Sequence, residues 1–124
     1  MQSRVKFLMT ILKILFPIIE PEVAYDMAKN ITGPNSITRK ISSKSPEYSF
    51  RYALVVDKKP TEVTRTGVLR DAEYAYNYAV RIDRQPSPET WKIVKFSQYE
   101  EDYLKSFDVE SPEKMDTIVN LIDL

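Results

Sequence analysis

A chain of 124 residues is long enough to bury one core, and 43% hydrophobic with 29% charged residues marks a folded domain rather than a disordered one. It has no cysteine and no histidine, which removes disulfides, thiolate nucleophiles, His-based triads and the usual transition-metal ligands, and lowers the expectation of an enzyme. Net charge is zero, yet residues 29–95 carry thirteen Lys/Arg against seven Asp/Glu and residues 96–124 carry two against eight, so a basic middle precedes an acidic end.

The first element, residues 4–19, is an apolar run broken by Lys13. Arg4 and Lys6 ahead of it resemble the start of a secretory signal, but no small-x-small cleavage site follows, and the run is short for a membrane span. As a helix it has two stripes: Val5, Leu8, Leu12, Leu15 and Ile19 on one side, Phe7, Ile11, Ile14 and Ile18 on the other. One stripe suits a capping helix under the domain. The second leaves open self-association or contact with a membrane surface. Pro17 is expected to kink or end this helix.

From residue 21 onward the chain is self-similar. Glu22-Val-Ala-Tyr25-Asp-Met-Ala28, Glu47-Tyr-Ser-Phe50-Arg-Tyr-Ala53, Glu73-Tyr-Ala-Tyr76-Asn-Tyr-Ala79 and Gln98-Tyr-Glu-Glu101-Asp-Tyr-Leu104 start 25, 26 and 25 residues apart. Ile31, Val56, Ile82 and Phe107 share a later column, with Asp57, Asp83 and Asp108 next to it. Pro34, Pro60, Pro86 and Pro112 follow, and each unit closes on Ile41, Val68-Leu69, Ile93-Val94 or Ile118-Val119. Each unit reads as a helix, a proline-containing turn and a shorter helix.

Helix starts are signalled by Ser45-Pro46-Glu47, Asp71-Ala72-Glu73, Ser87-Pro88-Glu89 and Ser111-Pro112-Glu113, an N-cap oxygen followed by residues suited to the first turn. Ala24, Ser49, Ala75, Ala28, Ala53 and Ala79 let helices approach, and tyrosines fill the gaps. Only two glycines are present, which also disfavours turn-rich β architectures. The predicted fold is all-α: one domain, 1–124, with an N-terminal helix (1–20), about four tandem helix-turn-helix repeats of roughly 25 residues (21–44, 45–70, 71–95, 96–119) and a C-terminal cap (115–124). The degenerate first and last units are those expected at the ends of a solenoid.

Units of the form Glu-Tyr-Ala-Tyr-x-Tyr-Ala, best preserved at 45–53 and 71–79, resemble short helical repeats in uncharacterised proteins of tailed bacteriophages and other viruses. The similarity covers about 80% of the chain. In the second helix only Glu89-Thr90-Trp91-Lys92 remains of the motif. The resemblance implies a viral accessory protein and carries over no catalytic residue.

The tyrosine columns also hold Phe, Val and Met, which is how core positions behave, although base stacking uses aromatics too. Glu100-Glu101-Asp102 sit side by side and point apart on a helix, so they suit a solvated helix start better than a metal site. Ser111-Pro112-Glu113-Lys114 matches the S-x-x-K pattern of serine acyl enzymes without its companion motifs, and an N-cap explains it better. Asn30-Ile31-Thr32 is a glycosylation sequon with meaning only in a secreted chain. The sharper feature is basic: Lys40 and Arg65 occupy one repeat position with Lys92 one residue off it, and Lys58 and Arg84 share a turn position.

Such rows suit an acidic protein surface or phosphates, or simply solvated charge. The expectation is therefore a non-enzymatic binding or adaptor protein in the cytoplasm, that of the host if viral. Its partner is a host protein or a second copy of itself, with RNA or DNA as the alternative. No catalytic residue, cofactor, metal or stable membrane span is expected.

Overall fold

A computed structural model describes residues 2–15 and 18–122. All regular structure among them is helical. The α-helices are α1 (Gln2–Leu15), α2 (Pro21–Met27), α3 (Ser36–Ser42), α4 (Pro46–Arg51), α5 (Glu62–Val68), α6 (Ala72–Tyr78), α7 (Pro88–Val94), α8 (Glu100–Ser106) and α9 (Pro112–Ile122). Pro17 lies outside the described residues. The closing helix begins at Pro112, three residues earlier than the cap expected at 115.

Caps set the helix starts. Ser45, Asp71 and Ser87 each accept backbone N–H bonds from the first turn of the helix they precede, and Ser111 accepts from Lys114 N–H at 3.2 Å. Asn35 and Thr61 cap α3 and α5 in the same way. Helices α2, α4 and α6 each run on into a widened π-helical turn, over Ala28–Thr32, Tyr52–Asp57 and Ala79–Asp83. The turns end at Gly33 (φ 75°), Lys58 (φ 56°) and Arg84 (φ 56°). After α8 the positive φ falls on Asp108 (55°). Residue Asp108 therefore stands at the chain reversal, in the place of Lys58 and Arg84, and not in the place of Asp57 and Asp83 where sequence alignment puts it. One fewer residue between Tyr103 and that turn accounts for the shift.

Helix α2 packs on α3, α4 on α5 and α6 on α7, while α4 also contacts α2 and α6, and α5 contacts α3. All six small residues, Ala24, Ala28, Ser49, Ala53, Ala75 and Ala79, are buried, so backbones come together where no side chain stands between them. The apolar interior falls into three clusters in chain order, around Tyr25 and Tyr52, around Phe50 and Tyr78, and around Trp91 and Tyr103.

A bond pattern recurs between these clusters. The Tyr52 hydroxyl lies 2.7 Å from Thr38 Oγ1 and accepts from Asn35 N–H at 3.0 Å. Tyr78 does the same with Thr64 (2.7 Å) and Thr61 N–H (3.1 Å), and Tyr103 with Thr90 (2.8 Å) and Ser87 N–H (3.2 Å). Each tyrosine thus satisfies the capping turn of the helix before it, and its hydroxyl ends on a buried threonine rather than at the rim. Tyr78→Phe leaves Thr61 N–H without its partner and is expected to cost about 2 kcal/mol in denaturant unfolding.

Burial, opposed by the Thr64 and Thr90 bonds, raises the pKa of Tyr78 and Tyr103 above the ordinary 10.0. Folded values above the unfolded one mean that the stabilisation is complete below pH 10 and is lost as pH rises through the folded values. These two tyrosines are therefore expected to show tyrosinate absorbance only in concert with alkaline unfolding.

Ser42 interrupts the pattern. Its hydroxyl is buried with no hydrogen-bond partner among the described residues, and Val68 and Val94 occupy the corresponding sites in α5 and α7. Removing the hydroxyl with Ser42→Ala is expected to raise stability by about 1 kcal/mol, read from the denaturation midpoint.

Candidate functional site

The basic positions separate into three environments. Arg65 on α5 faces Asp83, with Nε–Oδ2 at 3.0 Å and Nη2–Oδ1 at 2.5 Å, and its guanidinium lies 5.8 Å from the Tyr78 ring centroid. The residue that matches it on α3 is Arg39, not Lys40: Arg39 makes the same fork with Asp57 at 2.9 and 2.6 Å and lies 5.6 Å from the Tyr52 ring. The side chains of Asp57 and Asp83 are only 1% and 2% exposed. Hydrogen bonding to these carboxylates raises the pKa of both arginines, against the opposing effect of their own partial burial. Arg65 is thus engaged inside the fold and offers little to a partner.

In this register Trp91 follows Arg39 and Arg65. Its indole N–H donates to Asp116 at 2.7 Å, and Lys95 Nζ reaches the same carboxylate at 2.9 Å. Those two bonds, the indole first, hold the Asp116 carboxyl below its ordinary 3.8.

Lys40 and Lys92 lie on the exposed sides of α3 and α7. The position between them in the same register is Thr66, so the row of charge expected across Lys40, Arg65 and Lys92 is not continuous.

Lys58 and Arg84 come together. With Lys59 and Arg81 they line a cleft of about 430 Å³ floored by Ala53, Leu54, Pro60 and Ile82. The cleft lies between the π-helical turns that follow α4 and α6. No carboxylate lines it, and none of the four cations is ion-paired among the described residues. The acids that neighbour Lys58 and Arg84 in sequence are Asp57 and Asp83, both turned inward onto Arg39 and Arg65. Arg81 is held with its guanidinium 5.5 Å from the Phe50 ring centroid, which limits its rotamers. Two helix C-termini end here, each bringing roughly half a negative charge, so a net charge of about +3 faces solvent. Lys59 and Arg81 do not stand out in the repeat pattern, although the Lys58-Lys59 doublet before Pro60 is a signal for the first.

The other motifs resolve into local structure. Lys114 Nζ pairs with Glu110 at 2.5 Å, and Ser111 Oγ caps α9 by accepting from Lys114 N–H. Glu100 accepts from Phe96 N–H and Glu101 pairs with Lys105. Among the described residues, no group of three acidic side chains is placed to hold a metal ion, and no helix is long and apolar enough to cross a membrane.

By its architecture the chain is an all-α protein. No protein-family model, curated protein or solved structure matches it.

Proposed function

We propose that the chain is a tandem helical-repeat binding protein without catalytic activity, and that the Lys58/Lys59/Arg81/Arg84 cleft receives an acidic stretch of a partner protein. The repeat reading rests on the Tyr–Thr–N-cap bond set recurring at Tyr52, Tyr78 and Tyr103, with first helices packed on first helices and α3 on α5. The binding reading rests on one observation: four unpaired cations around a cleft whose neighbouring acids are buried elsewhere. Desolvated carboxylates of a partner gain more from such a concentrated group than from scattered surface charge.

Nucleic acid is the second reading, since the same cations suit phosphate. A protein partner is preferred because the Lys40–Lys92 row is broken at Thr66 and the chain beyond residue 96 is acidic, so a phosphate backbone has no continuous track. The resemblance to viral repeats supports a site of action in the cytoplasm of an infected cell, against a host protein.

The test is affinity capture from host lysate with the wild type and with Lys58→Glu/Arg84→Glu. A stoichiometric protein retained by the first and lost by the second is the expected result. Retention on generic RNA at low salt, with the logarithm of the binding constant falling linearly against the logarithm of salt and binding abolished by the same charge reversal, would transfer the cleft to nucleic acid. Capture unchanged by the reversal would remove the cleft from the proposal.

A further inference from the structure

Helix α1 carries large apolar residues that the fold leaves exposed. Eight of its fourteen residues are Val, Phe, Leu, Met or Ile, and none of the seven whose side chains the structure describes is buried. It packs against α3, and Val5, Leu8, Met9 and Ile11 are half-buried, on a helix short enough to be marginal alone. The opposite side is open. Phe7 is 67% and Ile14 73% exposed, and Ile18 beyond the helix is also 73% exposed. Phe7 and Ile14 are seven residues apart, close to two full turns, and so share one side.

Charge identifies what this edge fits. Arg4, Lys6 and Lys13 are all exposed, and no acidic residue occurs before Glu20. Pairing α1 with the α1 of a second copy sets three cations against three, which disfavours a dimer through this edge. The acidic C-terminal helices of a second copy are a weak alternative, because Glu101, Glu110 and Asp116 are already paired within their own chain. A basic helix with one apolar edge matches the boundary of a bilayer, where acyl chains lie beneath phosphates.

We propose that α1 seats the protein on an anionic lipid surface. Phe7 and Ile14 enter the headgroup–acyl boundary, and Arg4, Lys6 and Lys13 meet the lipid phosphates. The helix lies along the surface, which requires no spanning segment.

The full chain is to be sedimented with phosphatidylcholine vesicles, with and without phosphatidylserine. Binding is expected only with phosphatidylserine and is expected to fall with salt. Phe7→Ser/Ile14→Ser removes two exposed side chains and should lower the partition coefficient by about a hundredfold with the helical melting curve unchanged. Lys6→Gln/Lys13→Gln leaves the apolar edge intact and should lower it by about fivefold per cation. Three results would overturn the proposal: no binding to either vesicle, equal binding to both, or phosphatidylserine binding untouched by both variants. Light scattering that shows an oligomer dissolved by Phe7→Ser/Ile14→Ser, without vesicle binding, would assign the edge to a second copy instead.

Discussion

Arg65→Met is expected to cost about 3 kcal/mol of folding free energy at neutral pH, more than Tyr78→Phe or Gly67→Ala. The reason is the asymmetry of the pair. Asp83 has 2% of its side chain exposed and Arg65 27%, so loss of the arginine strands a carboxylate that has no route to water. Loss of the aspartate leaves a guanidinium that can turn outward, and Asp83→Ala should therefore cost less. Arg65→Lys does not restore the site, because the Nε and Nη2 fork to two oxygens and the approach to the Tyr78 ring both need a planar cation. The double variant Arg65→Met/Asp83→Leu removes both charges and should recover most of the loss. Urea denaturation of these variants beside the wild type measures this directly. A single-variant cost near zero would mean that the pair behaves as a surface ion pair.

The same pair shows where the sequence could be read and where it could not. Helical class, the N-caps at Ser45, Asp71, Ser87 and Ser111, and the burial of the small residues all follow from local signals: cap oxygens, first-turn prolines, and alanines at helical spacing. The cations do not, because a cation's partner is a matter of tertiary geometry. Aligning units on their opening Glu22 and Glu47 places Lys40 beside Arg65, one residue out of register. What separates them is the residue 18 positions on: Asp57 for Arg39 and Asp83 for Arg65, but Lys58 for Lys40. That complement is present in the sequence and is visible only when both columns are compared together.

The cleft was half legible for a related reason. Lys58 and Arg84 share a turn position, but Arg81 lines the cleft from within the π-helical turn Ala79–Asp83, and no residue pattern announces that turn. The buried Arg–Asp pairs and the open cleft are also physically linked. By drawing Asp57 and Asp83 inward, Arg39 and Arg65 leave Lys58 and Arg84 without local counter-charge. Variants at Arg65 should therefore be compared for partner capture only where they remain folded.

Gly67→Ala is expected to destabilise by about 2 kcal/mol even though alanine is the better helix former. Gly67 is buried in α5, where α3 has Ile41 and α7 has Ile93 at the matching site. A Cβ there would stand 2.2 Å from Ser49 Oγ, 2.7 Å from Ser49 Cβ and 2.8 Å from the Ser43 carbonyl oxygen. Ser49 cannot simply swing aside, because its hydroxyl donates to the Thr64 carbonyl at 2.7 Å and lies 3.2 Å from Ser43 Oγ. The Ser43 oxygen is backbone. Relief must therefore come from moving α5 away from both α4 and the end of α3, with loss of the Ser49–Thr64 bond and of close packing around Val68. Overpacking of this kind costs up to about 3 kcal/mol, and the propensity gain of roughly 1 kcal/mol offsets only part of it. Adding Ser49→Gly removes two of the three overlaps but not the backbone one, so the double variant should recover part of the loss and not all of it. Full recovery would show that Ser49 alone sets the distance between the helices, and no loss in Gly67→Ala would show that α5 shifts freely against α4.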